Sequence, residues 1–306
     1  MPASRRDNVG RGIALAMAAI LVFSTQDAAS KFLVTAHISP FQMTMMRFWA
    51  FATFSLFLVW RKGGGLRDAF RSRQPLAQVL RGGLLIVDIW MYMLALSSVP
   101  LAETQAITLV YPLLVTLFAV PLLGEKVGVF RVVAVAAGFA GALVIVRPGG
   151  VPLGWGALFA VGSGACYALY IVLTRKVSQT DSTTTSMLYV GAVGLVISSS
   201  VGVFFWQPLD LTTGLLVGWI MFTGVAAHGM MILALSLAPA SVLQPFNYTS
   251  LPWAIVLSWL VFGQLIAPVS LAGAAVIVGA GLVVMARERI RKVPSGASET
   301  PLPGKE

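Results

Sequence analysis

The sequence predicts an all-α integral membrane protein with ten transmembrane helices in two inverted five-helix repeats, on three observations. Of 306 residues, 58% are hydrophobic and 10% charged, with a mean hydropathy of +0.87. A soluble domain of this length carries about 25% charged residues, so this chain has too little polar surface to coat a water-soluble globule. Ten stretches approach the roughly 20 apolar residues that a helix needs to cross the hydrocarbon core. Finally, parts of the chain match themselves at a spacing of 139.

The expected spans run 10–34, 40–60, 78–98, 101–121, 127–147, 153–175, 183–206, 213–237, 240–262 and 268–287. Turn chemistry separates most of them: Ser39-Pro40, Gly63-Gly64-Gly65, Val99-Pro100, Arg147-Pro148-Gly149-Gly150, Gln207-Pro208 and Ala238-Pro239. The links between the third and fourth spans, and between the eighth and ninth, are so short that each pair must be a tight antiparallel hairpin. Arg5 and Arg6 followed by an apolar run resemble a signal peptide. The run continues past Asp27 to Val34 without a clear cleavage site, and reads as an uncleaved first helix. The lone cysteine, Cys166, can form neither an intramolecular disulfide nor a cysteine metal site, and reads as a small packing residue.

Basic residues orient the spans. If both termini are cytoplasmic, all but three of the 21 Lys and Arg side chains fall on one side of the membrane. The exceptions, Lys31, Arg47 and Arg147, lie within or at the far ends of spans. Taken alone, the net charge of +10 would point to nucleic acid. Its residues gather in short segments between apolar stretches, the pattern of a topology signal, which excludes nucleic acid as a partner. The chain then divides into a cytoplasmic segment 1–9, repeats at 10–149 and 150–287, and a disordered cytoplasmic tail at 288–306.

Under the shift of 139, Ala95-Leu96-Ser97 meets Ala234-Leu235-Ser236, Pro100 meets Pro239, Gln105 meets Gln244 and Gly124 meets Gly263. Pro112 falls one residue short of Pro252. Five spans per half is an odd number, so the second half enters the membrane upside down. Inverted repeats place a binding site at their interface near mid-membrane and permit alternating access.

At this point the residues resemble a known family. Phe23-Ser24-Thr25-Gln26-Asp27-Ala28-Ala29-Ser30-Lys31 stands in the first span and Arg47 early in the second. Then come Ala95 through Pro100-Leu101-Ala102-Glu103, Pro112, Leu122-Leu123-Gly124-Glu125 and Val146-Arg147-Pro148-Gly149. In this order the chain is similar to the drug/metabolite transporter superfamily, EamA type, over nearly its whole length. The resemblance implies ten helices around a central cavity and leaves the substrate open. The second half departs from the pattern at Gln264, where the first half has Glu125.

Ionisable residues inside a span cost about 2.5–3.5 kcal/mol on insertion scales, so those present face a partner or a wet cavity. Asp27 and Lys31, four apart, share one face of the first helix. They read either as a structural ion pair or as groups that handle substrate or protons. Arg47 reads as a gating or bridging residue, with Asp27, a carboxylate substrate or lipid phosphate as partner. Asp88, deepest of the acids, is the candidate proton carrier, or else a hydrogen-bonded structural acid. Glu103 complements the dipole of the helix it opens, and Glu125 pairs locally at that helix's other end. His228, in the eighth span, reads as a proton or substrate contact or as a neutral hydrogen-bonded histidine.

Polar stripes supply the candidate cavity wall. Gln105 and Thr108 in the fourth span match Gln244 and Asn247 in the ninth, with Tyr248 following and Tyr111 beside Pro112. Pro112 and Pro252 interrupt these helices, freeing a carbonyl that a cavity can satisfy and lipid cannot. The other reading is interhelical hydrogen-bonding. In the sixth span, Ser163, Tyr167, Tyr170 and Thr174 draw one stripe. Trp90 and Trp253 are candidate aromatic walls. Asn247-Tyr248-Thr249 is a chance glycosylation match inside a span, and the glycine pairs Gly138/Gly141 and Gly162/Gly164 allow close helix packing.

The expected function is a secondary transporter that exports an amino acid or related small polar or amphipathic metabolite across a bacterial-type inner membrane by alternating access. The alternatives are an uptake carrier for a riboflavin- or S-adenosylmethionine-type metabolite and a passive metabolite channel. Partners are the small molecule, membrane lipid and, for a coupled carrier, protons. No GxxxxGK[ST] motif exists for ATP. His37 and His228 stand apart with no His/Asp/Glu cluster at ligand spacing, so neither an enzyme, a metal site nor a cofactor is expected.

Overall fold

A computed structural model describes residues 3–61, 63, 65–124, 129–146, 154–237 and 243–290. Among them the chain is helical and contains no strand. The helices are α1 (Ala3–Thr35), α2 (Pro40–Arg61), α3 (Leu66–Ala69), α4 (Pro75–Ser98), α5 (Leu101–Thr108), α6 (Tyr111–Leu123), α7 (Val129–Ile145), α8 (Trp155–Val177), α9 (Thr183–Gly202), α10 (Leu211–Leu237), α11 (Ser250–Phe262) and α12 (Pro268–Ile290). Eight helical segments are long and apolar enough to cross a membrane. Two shorter apolar helices, Val132–Ile145 and Phe246–Phe262, stand where the fifth and ninth spans were expected, so the count of ten rests on those two. Lys62, Glu125, Arg147, the Ala238-Pro239 turn and the tail from 291 lie outside the described residues.

Local sequence explains where helices start and stop. Proline occupies the first turn of α4, where its missing N–H costs nothing. Ser182 caps α9, its Oγ accepting from Thr185 N at 3.1 Å. Gly124 and Gly263, 139 apart, end α6 and α11 at φ of 69° and 64°. That left-handed conformation is one glycine adopts without steric cost. The fourth span breaks between α5 and α6 one turn before Pro112, and its counterpart begins as a 3-10 turn, Gln244–Thr249, one turn before Pro252. Pro112 cannot donate to the carbonyl of Thr108, and α8 meets this break closely: a Cβ on Gly164 would lie 3.2 Å from Thr108 O.

Packing shows the doubling. Counterparts under the repeat are α1 and α8, α2 and α9, α4 and α10, α5–α6 and the Gln244–Phe262 segment, and α7 and α12. The pairs α2·α9 and α7·α12 each map onto themselves, while α1·α10 maps onto α4·α8 and α4·α9 onto α2·α10. All of these contacts are present. The halves are inverted: Gln42 near the start of α2 bonds Gln207 beyond the end of α9, and Ser55 near the end of α2 bonds Met187 near the start of α9. Where α7 crosses α12, Gly141 and Gly273 lie so close that a Cβ on either would come within 2.7 Å of the other's carbonyl. Some contacts break the symmetry. α1 packs along α4, and no comparable α8·α10 contact exists among the described residues.

The two largest interior clusters among the described residues draw on both halves. Leu33, Met43, Ile86, Met93 and Ile220 fill one, and Ala106, Ile107, Ile145, Ala157 and Ile277 the other. The outer surface carries exposed Phe222, Leu143, Leu260 and Val133. Lipid is the solvent that such a surface matches.

Candidate functional site

Charged side chains from three helices face one another inside the bundle. Arg47 of α2 has Asp27 of α1, Asp88 of α4 and Tyr167 of α8 as its electrostatic neighbours. It makes no ion pair with either acid; among the described residues the one ion pair is the exposed Arg71–Asp68. Asp27 and Arg47 are both half-buried on inward faces of packed helices. They neighbour each other without forming an ion pair. Two acids thus neighbour one guanidinium.

Each acid is held by hydroxyl groups. Asp88, buried, accepts a 2.6 Å hydrogen bond from Ser163 Oγ of α8. The Tyr92 hydroxyl lies between the Asp27 carboxylate and Gln105 Oε1, 3.0 Å from the latter. Gln105 Nε2 in turn donates to Ser250 Oγ at 2.9 Å. This chain runs from α1 through α4 and α5 to α11, across the boundary between halves. One phenolic proton facing two acceptors also means that a change at Asp27 is felt at Gln105.

Beside the charges stands a run of tyrosines. Tyr111, at the start of α6, meets Tyr167 edge-on at 4.9 Å, and Tyr167 stacks on Tyr170 at 5.8 Å and 22°. The Asn247 amide hydrogen-bonds the Tyr111 hydroxyl. All three tyrosines are half-buried. Spacing of 4 and 3 places Tyr170 and Tyr167 on the Ser163 face of α8. Trp90, on the segment of α4 that bears Asp88, is half-buried and edge-on to Phe41 at 5.2 Å; its indole N–H is buried with no partner. Gln26 Oε1, near Arg47 and Gly224, is likewise unpartnered.

Several expected residues are used elsewhere. Lys31 does not pair with Asp27. It is buried and donates to the carbonyls of Leu96 (2.6 Å) and Val99 (2.9 Å), closing the C-terminus of α4. Spacing on one helix put the two charges together, but the free carbonyls at the end of α4 are the better-aligned acceptors for an ammonium group. Glu103 stands in the first turn of α5 and accepts from Ala267 N, at the start of α12, at 3.2 Å. Thr108 is buried and donates back to Gln105 O at 3.0 Å, so its hydroxyl serves the helix rather than a cavity. Tyr248 is buried against Gly281, where a Cβ would lie 1.7 Å from its hydroxyl. His228 Nδ1 sits 2.7 Å from Gly224 O, between the rings of Phe23 (5.0 Å) and Phe51 (5.5 Å). A histidine so held donates from Nδ1 in its neutral form. Trp253 is half-buried on α11, and the Gln244 side chain lies outside the described residues.

Sequence reasoning missed the importance of Arg81. Counted only as a topology charge, it is buried and donates to Gln78 Oε1 (2.8 Å), Thr174 Oγ1 (2.9 Å) and the Ser186 carbonyl, with its guanidinium 5.7 Å from the Tyr170 ring centre. The signal was available: Arg81 falls inside the span drawn at 78–98. It also missed Ser250, whose counterpart under the repeat is Tyr111.

The pattern of the EamA-like transporter family matches residues 10–147 and 154–286. The chain is 31% identical to a riboflavin transporter of Rhizobium johnstonii over 80% of its own length and 82% of that protein. It is 32% identical to a riboflavin transporter of Vibrio cholerae over 65% and 67%. An S-adenosylmethionine uptake transporter of Rickettsia bellii is 23% identical over 91% and 94%. A solved crystal structure, 21% identical, superposes with a TM-score of 0.61 over 91% of this chain and 98% of the other, a likeness of fold.

Proposed function

The chain belongs to the EamA-like transporter family, and from that premise we propose that it takes up a flat heteroaromatic metabolite of the riboflavin type by alternating access. The observation that carries this reading is the tyrosine run Tyr111–Tyr167–Tyr170 set beside Asp27, Asp88 and Arg47. Offset and edge-on rings hold planar π-systems, each pair contributing about 0.5–1.5 kcal/mol beyond area burial. The polar groups then match the hydrogen-bonding edge of a heterocycle, and the unpartnered Trp90 N–H offers one more donor. An aliphatic amino acid makes little use of a stacked aromatic wall. The riboflavin transporters among the relatives support the substrate type, and the S-adenosylmethionine uptake transporter supports uptake over the amino-acid export expected from sequence.

In this reading Asp88 and Asp27 handle charge or a coupled proton, Arg47 steers the substrate, and both termini face the cytoplasm. A second reading, a cationic nucleoside-like substrate of the S-adenosylmethionine type, draws on the two acids that neighbour one guanidinium and on the Rickettsia relative. Uptake of labelled riboflavin by proteoliposomes holding the purified chain tests the proposal. Saturable uptake, stimulated by riboflavin preloaded inside and not competed by excess S-adenosylmethionine or amino acids, is expected. Riboflavin flux no greater than in empty liposomes refutes it, and unsaturable flux points to a channel.

A further inference from the structure

The two halves grip each other by matching contacts at opposite ends of the bundle. Gln42 lies in the first turn of α2, and Asp181 lies just before α9, its inverted counterpart. They stand 139 apart, the spacing of the repeat. The Gln42 carboxamide bonds both ways to one main-chain unit: Nε2 donates to Gln207 O at 2.8 Å, and Oε1 accepts from Gln207 N at 3.0 Å. Gln207 lies in the connection from α9 to α10. The Asp181 carboxylate accepts from Arg73 N at 2.9 Å and from Ser72 Oγ, in the connection from α3 to α4, and from Gln78 Nε2 at 2.8 Å in the first turn of α4. These two connections are themselves counterparts, since each leads one half into its third span. Each residue thus holds, through a main-chain N–H, the loop that carries the other half into α4 or α10.

The chemistry of the two grips differs. Gln42 is fully buried and neutral, while Asp181 is half-buried and charged. Their common feature is the loop each one holds. Antiparallel packing of α2 on α9 puts the two grips at opposite ends of the bundle.

We propose that Gln42 and Asp181 are two-fold-related latches, and that releasing one opens the bundle at that end alone. Inverted repeats exchange conformations during alternating access, and the latches supply each conformation with its own closing contact. The proposal rests on the transporter reading but not on any substrate, and its test uses no substrate.

Double electron–electron resonance on the full chain in nanodiscs provides the measurement, in a Cys166→Ser background. One nitroxide pair, at exposed Thr35 and Leu211, reports the Gln42 end. A second, at exposed Arg71 and Ser178, reports the Asp181 end. Gln42→Ala is expected to add a longer-distance population to the first pair and leave the second unchanged. Asp181→Ala is expected to do the reverse. Gln42→Glu keeps the acceptor and loses the donor, and Ser72→Ala removes one donor to Asp181. These milder variants should give smaller shifts at the same ends, and they decide the matter if an alanine variant fails to fold. The proposal is overturned if both pairs respond to one variant, if neither pair responds in a folded variant, or if the far end responds. Failure of riboflavin uptake leaves these outcomes untouched.

Discussion

Lys31 offers a sharp test because two physical accounts of it make opposite predictions. On the first, Lys31 neutralises Asp27 one turn away on the same helix. On the second, it closes the C-terminus of α4 through the Leu96 and Val99 carbonyls at 2.6 and 2.9 Å. Lys31→Met keeps the length and apolar stem while removing both donors. Hydrogen bonds to a charged group contribute about 1.5–3 kcal/mol each in soluble proteins. Interhelical bonds in a bilayer average about 0.6 kcal/mol, because the unfolded helices find other partners. Two charge-assisted bonds, taken between those limits, place the loss at about 1–3 kcal/mol in total. The discriminating measurement is a double-mutant cycle with Asp27→Asn, read by reversible unfolding in mixed micelles. If Lys31 serves α4, the two losses add within about 0.5 kcal/mol. If the charges serve each other, removing Asp27 largely rescues the Lys31→Met protein. A coupling energy above about 1 kcal/mol would refute the capping account.

Two further outcomes follow from the same geometry. Tyr167→Leu removes both ring contacts of the tyrosine run. At about 0.5–1.5 kcal/mol per aromatic contact, KM for a planar aromatic substrate should rise about 2- to 10-fold; a rise equally large for an aliphatic competitor would count against a stacking role. Asp181 gives a pH prediction with a definite sign. Partial burial acts to raise its pKa, but hydrogen bonds from Ser72, Gln78, Arg73 N and Thr180 prevail and hold the carboxyl below the ordinary value of 3.8. A depressed folded-state pKa stabilises the protein above the unfolded value, and that contribution disappears as pH falls through the folded value. The stability difference between the native chain and Asp181→Asn should therefore stay constant from about pH 8 to pH 5 and shrink only below the ordinary value. Chemical unfolding across that range measures it, and shrinkage that begins near pH 6 would contradict the assignment.

What the sequence could and could not convey follows from the range of its signals. Hydropathy, turn residues and the repeat are local or periodic, and they located the helices and the breaks before Pro112 and Pro252, and they paired Gly124 with Gly263, which prove to be helix caps. Polar periodicity also placed Tyr167 and Tyr170 on the Ser163 face of α8, where Ser163 meets Asp88. Periodicity is blind to the partner, however. Lys31 shares a face with Asp27, yet the acceptors that hold it end a helix 65 and 68 residues further along the chain. Arg81 shows its burial by falling inside a span, but nothing in its neighbourhood names Thr174 or Ser186 as its partners.

Gln42 and Asp181 illustrate the limit most clearly. A single polar residue near a helix start has no period, so neither stood out. Their spacing of 139 becomes informative only when both are seen holding loops. The repeat then explains why a glutamine and an aspartate do equivalent work: the inherited constraint is the position of an acceptor for a main-chain N–H, and both side chains place an oxygen there. Duplicated membrane proteins can thus diverge freely in side-chain identity while keeping the geometry that lets one half undo what the other half holds.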